Sequence, residues 1–424
     1  MSLKKIFLPI FFSLISIYAI LNIFHSSISF DWTFEDWLIN YEGGFVRRGL
    51  SGEIISRISN FFVGESKQFY FGIQIHFAYF YILSILCLIF YVLLFKFLKK
   101  EKLNFQNLFI ILSPLSISFI IYNFGTIGRK EVLFFIIFLL FIFLLSSIKK
   151  RELSIFFLII FFPLVLLLHE GLIFFISAFL VIFLFEINTF NKKFILSTVL
   201  LFVLLSFGVF ILTVIFKGNL AQIKAICLSL SSYPLEDCFG LSAIGTLSSS
   251  LAPATSGNEF NILWARVFKD KYLFYYPIFA IIAFYPLIKS SFNYCFNISV
   301  GNKIYKLNFF TIAIIYFVNS LPLYIFSHDW GRWLHVNYIL FMITFFYLKR
   351  VNKIYPKSSR KFELITDNHD YLKKILLSIV LIFYSAGLSI SYFGGYTYWI
   401  HNYTTMDDQF KFYFNVIKTI PNLF

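Results

Sequence analysis

The chain has 424 residues, 59% of them hydrophobic and only 13% charged, with a mean hydropathy of +0.81. A soluble globular protein carries about 25% charged residues, so this composition excludes a water-soluble domain and calls for lipid as solvent. The formal net charge of +15 then reads as cytoplasmic anchoring plus sites for anionic lipid or phosphate, and nucleic acid is not an expected partner.

Taken in chain order, Met1–Lys5 and the apolar run Ile6–Phe24 have the layout of a signal peptide, but the run is long for one and no small-x-small cleavage site follows. It is read as a first retained span. A bilayer crossing takes roughly 20 apolar residues. Ten further stretches follow: Ile73–Phe97, Asn107–Phe124, Val132–Ile148, Leu153–Leu168, Leu172–Ile187, Phe194–Phe216, Leu273–Ile288, Asn308–Phe326, Leu334–Leu348 and Ile375–Phe393. The fifth and tenth of the series are short and are expected to run on into polar ends buried in the bundle. The expected fold is all-α: one polytopic transmembrane helix bundle over residues 1–424, with about 11 spans.

Lys and Arg in short loops set the orientation. The larger share of the 36 falls in one alternating set of gaps: Lys4–Lys5, Lys96–Lys102, Lys149–Arg151, Lys192–Lys193, Lys289–Lys306 and Lys349–Lys374. The N-terminus and the connector 349–374 are therefore expected in the cytoplasm, and the tail from Gly394 on the outer face. Two long segments, 25–71 and 217–271, also face outward, the second read as a flexible or partly helical cap. Cys227 and Cys238 share that cap, where an oxidising compartment allows a bridge without the sequence dictating one. No cysteine or histidine spacing suggests zinc.

Four dense charged clusters interrupt the apolar pattern, each with a bland reading beside the functional one. Asp31–Arg57 reads DWTFEDWLINYEGGFVRRGLSGEIISR. Its glycines permit turns or close backbone approach, and Arg47 and Arg48 carry donors that match phosphate oxygens. Asp31, Glu35, Asp36, Glu42 and Glu53 are acids nearby. The bland reading is an interfacial re-entrant loop with snorkelling arginines. Gly128–Glu131 brings Arg129 and Lys130 to a helix start, where positive charge is disfavoured unless something anionic offsets it; the bland reading is headgroup contact. His169 and Glu170 lie in a gap so tight that both must sit at the interface, where burial is expected to raise the Glu170 pKa and ready it for proton transfer; the bland reading is a capped turn. His328, Asp329, Trp330, Arg332 and Trp333 combine a His–Asp pair with Arg and two Trp that suit phosphate and sugar; the bland reading is an aromatic belt. All four clusters fall in gaps of the same parity, so alternation of spans sets them on one face.

In this layout, together with NYEGGFVRRGLSGE at Asn40–Glu53, HEG at His169–Gly171 and HDWGRW at His328–Trp333, the chain resembles the O-antigen polymerases of bacterial inner membranes. The resemblance implies transfer of a growing glycan from undecaprenyl pyrophosphate onto a lipid-linked repeat unit at the periplasmic face, with no cofactor and no metal. Membrane lipid and a chain-length regulator are the partners it implies. In that reading Glu170 or Asp329, relayed through His169 or His328, takes the acceptor proton. Arg47, Arg48, Arg129, Lys130 and Arg332 hold phosphates, and Trp330, Trp333 and Glu42 contact substrate. The long acidic first loop also resembles multispanning glycosyltransferases that use polyprenyl-phosphate sugars, with Asp31, Glu35 or Asp36 as base. A lipid-linked oligosaccharide flippase is a third, less favoured reading, since no internal repeat is evident and the ionisable groups crowd one face.

Overall fold

The computed structural model describes residues 3–29, 32–63, 71–101, 104–116, 119, 123, 128–146, 151–186, 192–230, 238, 242–248, 267–268, 271–300, 303–327, 329–357, 371–387, 390, 396–399, 402–405 and 411. Helices dominate: α1 (Leu3–Ser29), α2 (Trp32–Leu38), α3 (Gly49–Val63), α4 (Phe71–Leu98), α5 (Phe105–Ile111), α6 (Glu131–Leu145), α7 (Arg151–Leu166), a 3-10 turn (Glu170–Phe175) leading into α8 (Ile176–Glu186), α9 (Lys192–Ile215), α10 (Leu220–Ser229), α11 (Tyr272–Phe292), α12 (Phe310–Phe326), α13 (Trp330–Arg350) and α14 (Tyr371–Gly387). Among the described residues four helical stretches are long and apolar enough to cross a membrane, Phe7–Ser27, Ile75–Leu98, Lys193–Ile215 and Tyr272–Phe292. The molecule is a helical membrane protein, and its helices follow the apolar stretches closely.

The chain forms two compact units. The first comprises Met1–Lys100 and Gly125–Ser256. In it α1 packs on α4, α4 on α6, α6 on α7 and α7 on α9. Segment 25–71 is not an extended loop. It holds α2 and the amphipathic α3, which pack on each other, and α3 lies along α4. Gly52, Ile55 and Ser59, three to four residues apart, make the buried face of α3 together with Ser51, while Ile54 and Phe61 point outward.

The second unit comprises Glu101–Phe124 and Gly257–Phe424. Its axis is α13, whose residues Trp330–Leu348 are all buried. A helix enclosed on every side can be less apolar than one facing lipid, provided each polar group finds a partner. Tyr338 donates to the Ile110 carbonyl at 2.8 Å, a His335 ring nitrogen lies 2.9 Å from the Leu115 carbonyl, and Thr344 shares a hydrogen bond with the Tyr316 hydroxyl. Both carbonyls can take these side chains because α5 stops early. The third apolar stretch is expected to span as one helix, yet its helix ends at Ile111, just before Ser113-Pro114. Proline removes a donor and pushes the preceding residue out of helical geometry.

Two small antiparallel sheets depart from an all-helical plan. In one, β1 (Tyr294–Val300) lies between β2 (Lys303–Asn308) and β3 (Tyr355–Pro356). In the other, β4 (Tyr396–Trp399) pairs with β5 (Asn402–Thr405). The first occupies a stretch read from sequence as a plain basic connector. Its two strands are separated only by Gly301 and Asn302, a length and composition that favour a tight hairpin.

Candidate functional site: a buried ion network in the first unit

Three of the four charged clusters meet in the first unit. The α2 helix carries Glu35 and Asp36 into the interior, where they are 6% and 1% exposed. The chain then turns at Tyr41–Gly44 and delivers Arg47 and Arg48 just before α3. Space for this route comes from glycines. A Cβ on Gly49 would lie 2.2 Å from the Tyr41 ring, one on Gly52 would lie 2.2 Å from the Ile39 carbonyl oxygen, and one on Gly43 would lie 2.7 Å from the Gln222 backbone. These glycines admit the protein's own chain, not a ligand.

Arg48 grips Glu170 in bidentate fashion, with Nε at 2.9 Å from Oε2 and Nη2 at 2.6 Å from Oε1. Its Nη1 also lies 3.6 Å from Asp36 Oδ1. Lys130, at the head of α6, brings Nζ within 3.4 Å of Asp36 Oδ2 and donates to the Arg48 carbonyl at 3.3 Å. Arg47 lies 3.7 Å from Glu170 and donates to the Leu247 carbonyl at 3.2 Å. Among the described residues these ion pairs join Arg47, Arg48 and Lys130 to Asp36 and Glu170. Arg48 is their most accessible member, with 23% of its side chain exposed against 6% or less for the other four. An anion approaching from solvent therefore meets Arg48 first, in a low-dielectric setting where charge acts strongly.

The network corrects several expectations. Burial would raise the Glu170 carboxyl, but the Arg48 and Arg47 guanidiniums outweigh it and hold the group well below the usual carboxylate range. A carboxylate so stabilised is a poor base, so Glu170 serves as an anchor for Arg48. His169 caps the 3-10 turn: its Nδ1 accepts the Gly171 amide at 3.1 Å. Lys130 is fully enclosed, which keeps its amine from touching a substrate. Burial lowers its pKa to about 8, with Asp36 opposing the shift. Burial also lowers the Arg47 pKa, with Glu170 opposing. Glu42 stands exposed on the turn, its amide donating to Asn40 Oδ1 at 3.0 Å. Arg129 is half-buried beside Lys130. Asp31 lies outside the described residues.

Described residues of 216–248 pack against this region. Glu35 accepts the Ala243 amide at 2.8 Å, Asn40 donates to Ser229 Oγ at 2.9 Å, and the Arg47 amide donates to the Phe216 carbonyl at 2.8 Å. A disulfide joins Cys227 to Cys238 within the same segment. These partners, and the central place of Asp36, are invisible to motif reading, because backbone groups two hundred residues away carry no sequence signature.

The fourth cluster belongs to the second unit. Asp329 and Arg332 pair one turn apart at 3.2 Å, and the Arg332 guanidinium covers the Trp333 ring at 4.6 Å. Trp330 and Trp333 are 8% and 2% exposed, so neither offers the open ring face that stacking on a sugar needs. His328 lies outside the described residues.

No curated protein and no solved structure matches this chain. One protein family does match, over residues 9–257. That span takes in every member of the ion network and stops short of Asp329–Arg332. The matching family is described as "Uncharacterised membrane protein Rv1490", and since it covers more than half of the 424 residues, the chain belongs to that family.

Proposed function

We propose that the protein is a membrane glycosyltransferase of surface-polysaccharide assembly, acting on polyprenyl-phosphate-linked sugars at the outer, periplasmic face of a bacterial inner membrane. The observation that carries this reading is the ion network of Asp36, Arg47, Arg48, Lys130 and Glu170, with its part-exposed Arg48. A lipid phosphate or pyrophosphate is the anion that meets the part-exposed Arg48. As the sugar–phosphate bond breaks, Arg48 stabilises the anion that leaves. The disulfide between Cys227 and Cys238 supports an oxidising compartment for this face.

Two forms of the reading differ in what is transferred. In the O-antigen polymerase form, a growing glycan passes from undecaprenyl pyrophosphate to a lipid-linked repeat unit. In the second form, a single sugar passes from polyprenyl phosphate to a glycan. A specific observation favours the second. The acid at the centre of the network is Asp36 of the first outer segment, met by its cations at 3.4 and 3.6 Å, whereas Glu170 is locked by bidentate hydrogen bonds. Asp36 and Glu170 hold Arg48 on the phosphate; the acceptor oxygen attacks the anomeric carbon, the bond to phosphate breaks, and the acceptor proton leaves with the phosphate.

The test is a deletion strain complemented with Arg48→Ala or Asp36→Asn, read out as the lipopolysaccharide ladder and its sugar composition. Loss of a polymerase leaves single repeat units. Loss of a branch transferase leaves long chains lacking one sugar. A wild-type profile from both variants, each present at wild-type level in the membrane, overturns the proposal.

A further inference from the structure

We infer that the three-stranded sheet of the second unit is a membrane-surface platform for anionic phospholipid headgroups, which it meets with Lys306, Lys349 and Lys353 beside the exposed apolar residues of the β1–β2 hairpin. Such a platform operates whether or not the chain transfers sugar.

The sheet closes one end of the unit's helices. β1 follows directly on α11, β2 runs into α12, and β3 follows α13. Backbone hydrogen bonds fasten it there: the Phe309 amide donates to the Tyr294 carbonyl at 3.0 Å, and the Lys357 amide to the Asn293 carbonyl at 2.8 Å. Because α11 is long and apolar enough to cross a membrane, a sheet at its end stands at the level of the headgroups.

Cations gather at this end. Lys289 and Lys349 stand in the last turns of α11 and α13, Lys306 lies on β2, and Lys353 and Lys357 flank β3. Among the described residues no carboxylate pairs with these lysines, and the Glu101 carboxylate is taken by Arg350. Aromatic rings hold three of them instead. Lys289 Nζ lies 5.5 Å from the centre of the Tyr285 ring, Lys306 Nζ 5.4 Å from that of Tyr355, and Lys349 Nζ 5.6 Å from that of Tyr294. A ring attracts an ammonium without neutralising it, so the positive charge is left for an anion. Helix C-termini favour cations, which accounts for Lys289 and Lys349 but not for the lysines of the sheet.

Apolar side chains stand beside this charge. The register sets Ile298 opposite Tyr305 and Asn297 opposite Lys306. The buried Phe296 seats the hairpin, whereas Ile298, Ile304 and Tyr305 beyond it are exposed, Ile304 to 70%. Exposed apolar residues on an edge strand invite pairing with another chain in water. At a bilayer surface they sink into the headgroup boundary while lysines meet the phosphates. A nucleic acid or an acidic protein would satisfy the lysines and leave the isoleucines wet. A headgroup layer, anionic at its surface and apolar beneath, suits both. This end is also the one expected in the cytoplasm from the bias of Lys and Arg, where the leaflet carries negative charge.

The experiment uses the full chain in nanodiscs, either of phosphatidylcholine alone or of phosphatidylcholine with increasing phosphatidylglycerol. An environment-sensitive fluorophore on Ile304→Cys reports polarity at the hairpin; the native free cysteines, Cys87 and Cys295, are buried. Emission is expected to shift to the blue as phosphatidylglycerol is added, and high salt to reverse the shift. Lys306→Gln, Lys349→Gln and Lys353→Gln combined are expected to raise the phosphatidylglycerol content needed by about a hundredfold, which abolishes the shift. The same three lysines replaced by arginine keep it. Phosphatidylglycerol and salt dependence are read with all lysines intact, so the proposal stands or falls on them even where the glutamine variant does not fold. The same emission in both kinds of nanodisc overturns the platform, as does a shift that survives high salt or the loss of the three lysines. Inorganic phosphate added to phosphatidylcholine nanodiscs is expected to leave emission unchanged. A shift equal to that given by phosphatidylglycerol would make this a site for free phosphate and overturn the lipid assignment.

Discussion

Arg48 holds a backbone conformation that side chains rarely adopt, with φ at +63°. The left-handed region costs a non-glycine residue about 1–2 kcal/mol, and strain of this kind persists where surrounding contacts over-determine it. Here the contacts are explicit: the side chain is tied to Glu170 and Asp36, and the carbonyl takes Lys130. Glu170 is the heaviest of these ties, and its titration gives a testable consequence. Its folded pKa lies well below the ordinary carboxylate value, Arg48 and Arg47 having outweighed burial. The stabilisation it contributes is complete above the unfolded pKa and is lost as pH falls through the folded one. Lys130 acts in the same sense at higher pH. With its pKa lowered to about 8 by burial, the unfolded chain binds more protons between that value and the ordinary lysine value, so stability rises with pH across that window. We expect Glu170→Gln to cost about 3 kcal/mol at neutral pH, the usual scale for leaving buried charge uncompensated. It should also flatten the acid limb of the stability curve, as thermal unfolding in detergent between pH 3 and 7 will show. An unchanged acid limb means that Glu170 is not the group responsible.

At the scale of elements, segment 25–71 shows how a motif can be legible while its purpose is not. The run NYEGGFVRRGLSG declares turns and a phosphate-like donor pair from residue types alone. That Gly52 exists to let α3 rest on the end of α2 follows only from the 2.2 Å separating its would-be Cβ from the Ile39 carbonyl. Backbone on backbone has nowhere to yield. We expect Gly52→Ala to separate α2 from α3, destabilise the protein by about 1–3 kcal/mol or more and abolish activity by moving Asp36 away from Arg48. Gly208, in the middle of α9, has nothing within 4 Å of its would-be Cβ. Gly208→Ala should be silent in the same assays, and matched thermal and complementation measurements on the two variants check the contrast. The apolar stretches became helices close to their read boundaries because a lipid-facing backbone must satisfy itself internally. The third did not run unbroken, because Pro114 ends its helix and buried side chains of α13 then take up the released carbonyls.

For the whole molecule, composition alone names the solvent. A chain with 59% hydrophobic and 13% charged residues belongs in a bilayer, and membership of a membrane-protein family agrees with it. The parity of the charged gaps and the bias of Lys and Arg predict eleven crossings with a cytoplasmic N-terminus and an outer C-terminal tail. Alkaline phosphatase fused after Phe424 is expected to be active, and the same enzyme fused within 349–374 inactive. The reverse pattern refutes that orientation.

Membrane residence and the course of most described helices were legible in the linear order of residues, because hydropathy and span length act locally and repeat along the chain. The company the charged clusters keep was not. That Arg48 meets Glu170 across 122 positions, that the resulting pair holds the Glu170 pKa down where burial alone would raise it, that Lys130 is sealed in, and that Trp330 keeps its ring covered are results of three-dimensional packing. Charge in a low-dielectric interior takes its chemistry from neighbours a few ångströms away, and only the folded chain chooses those neighbours.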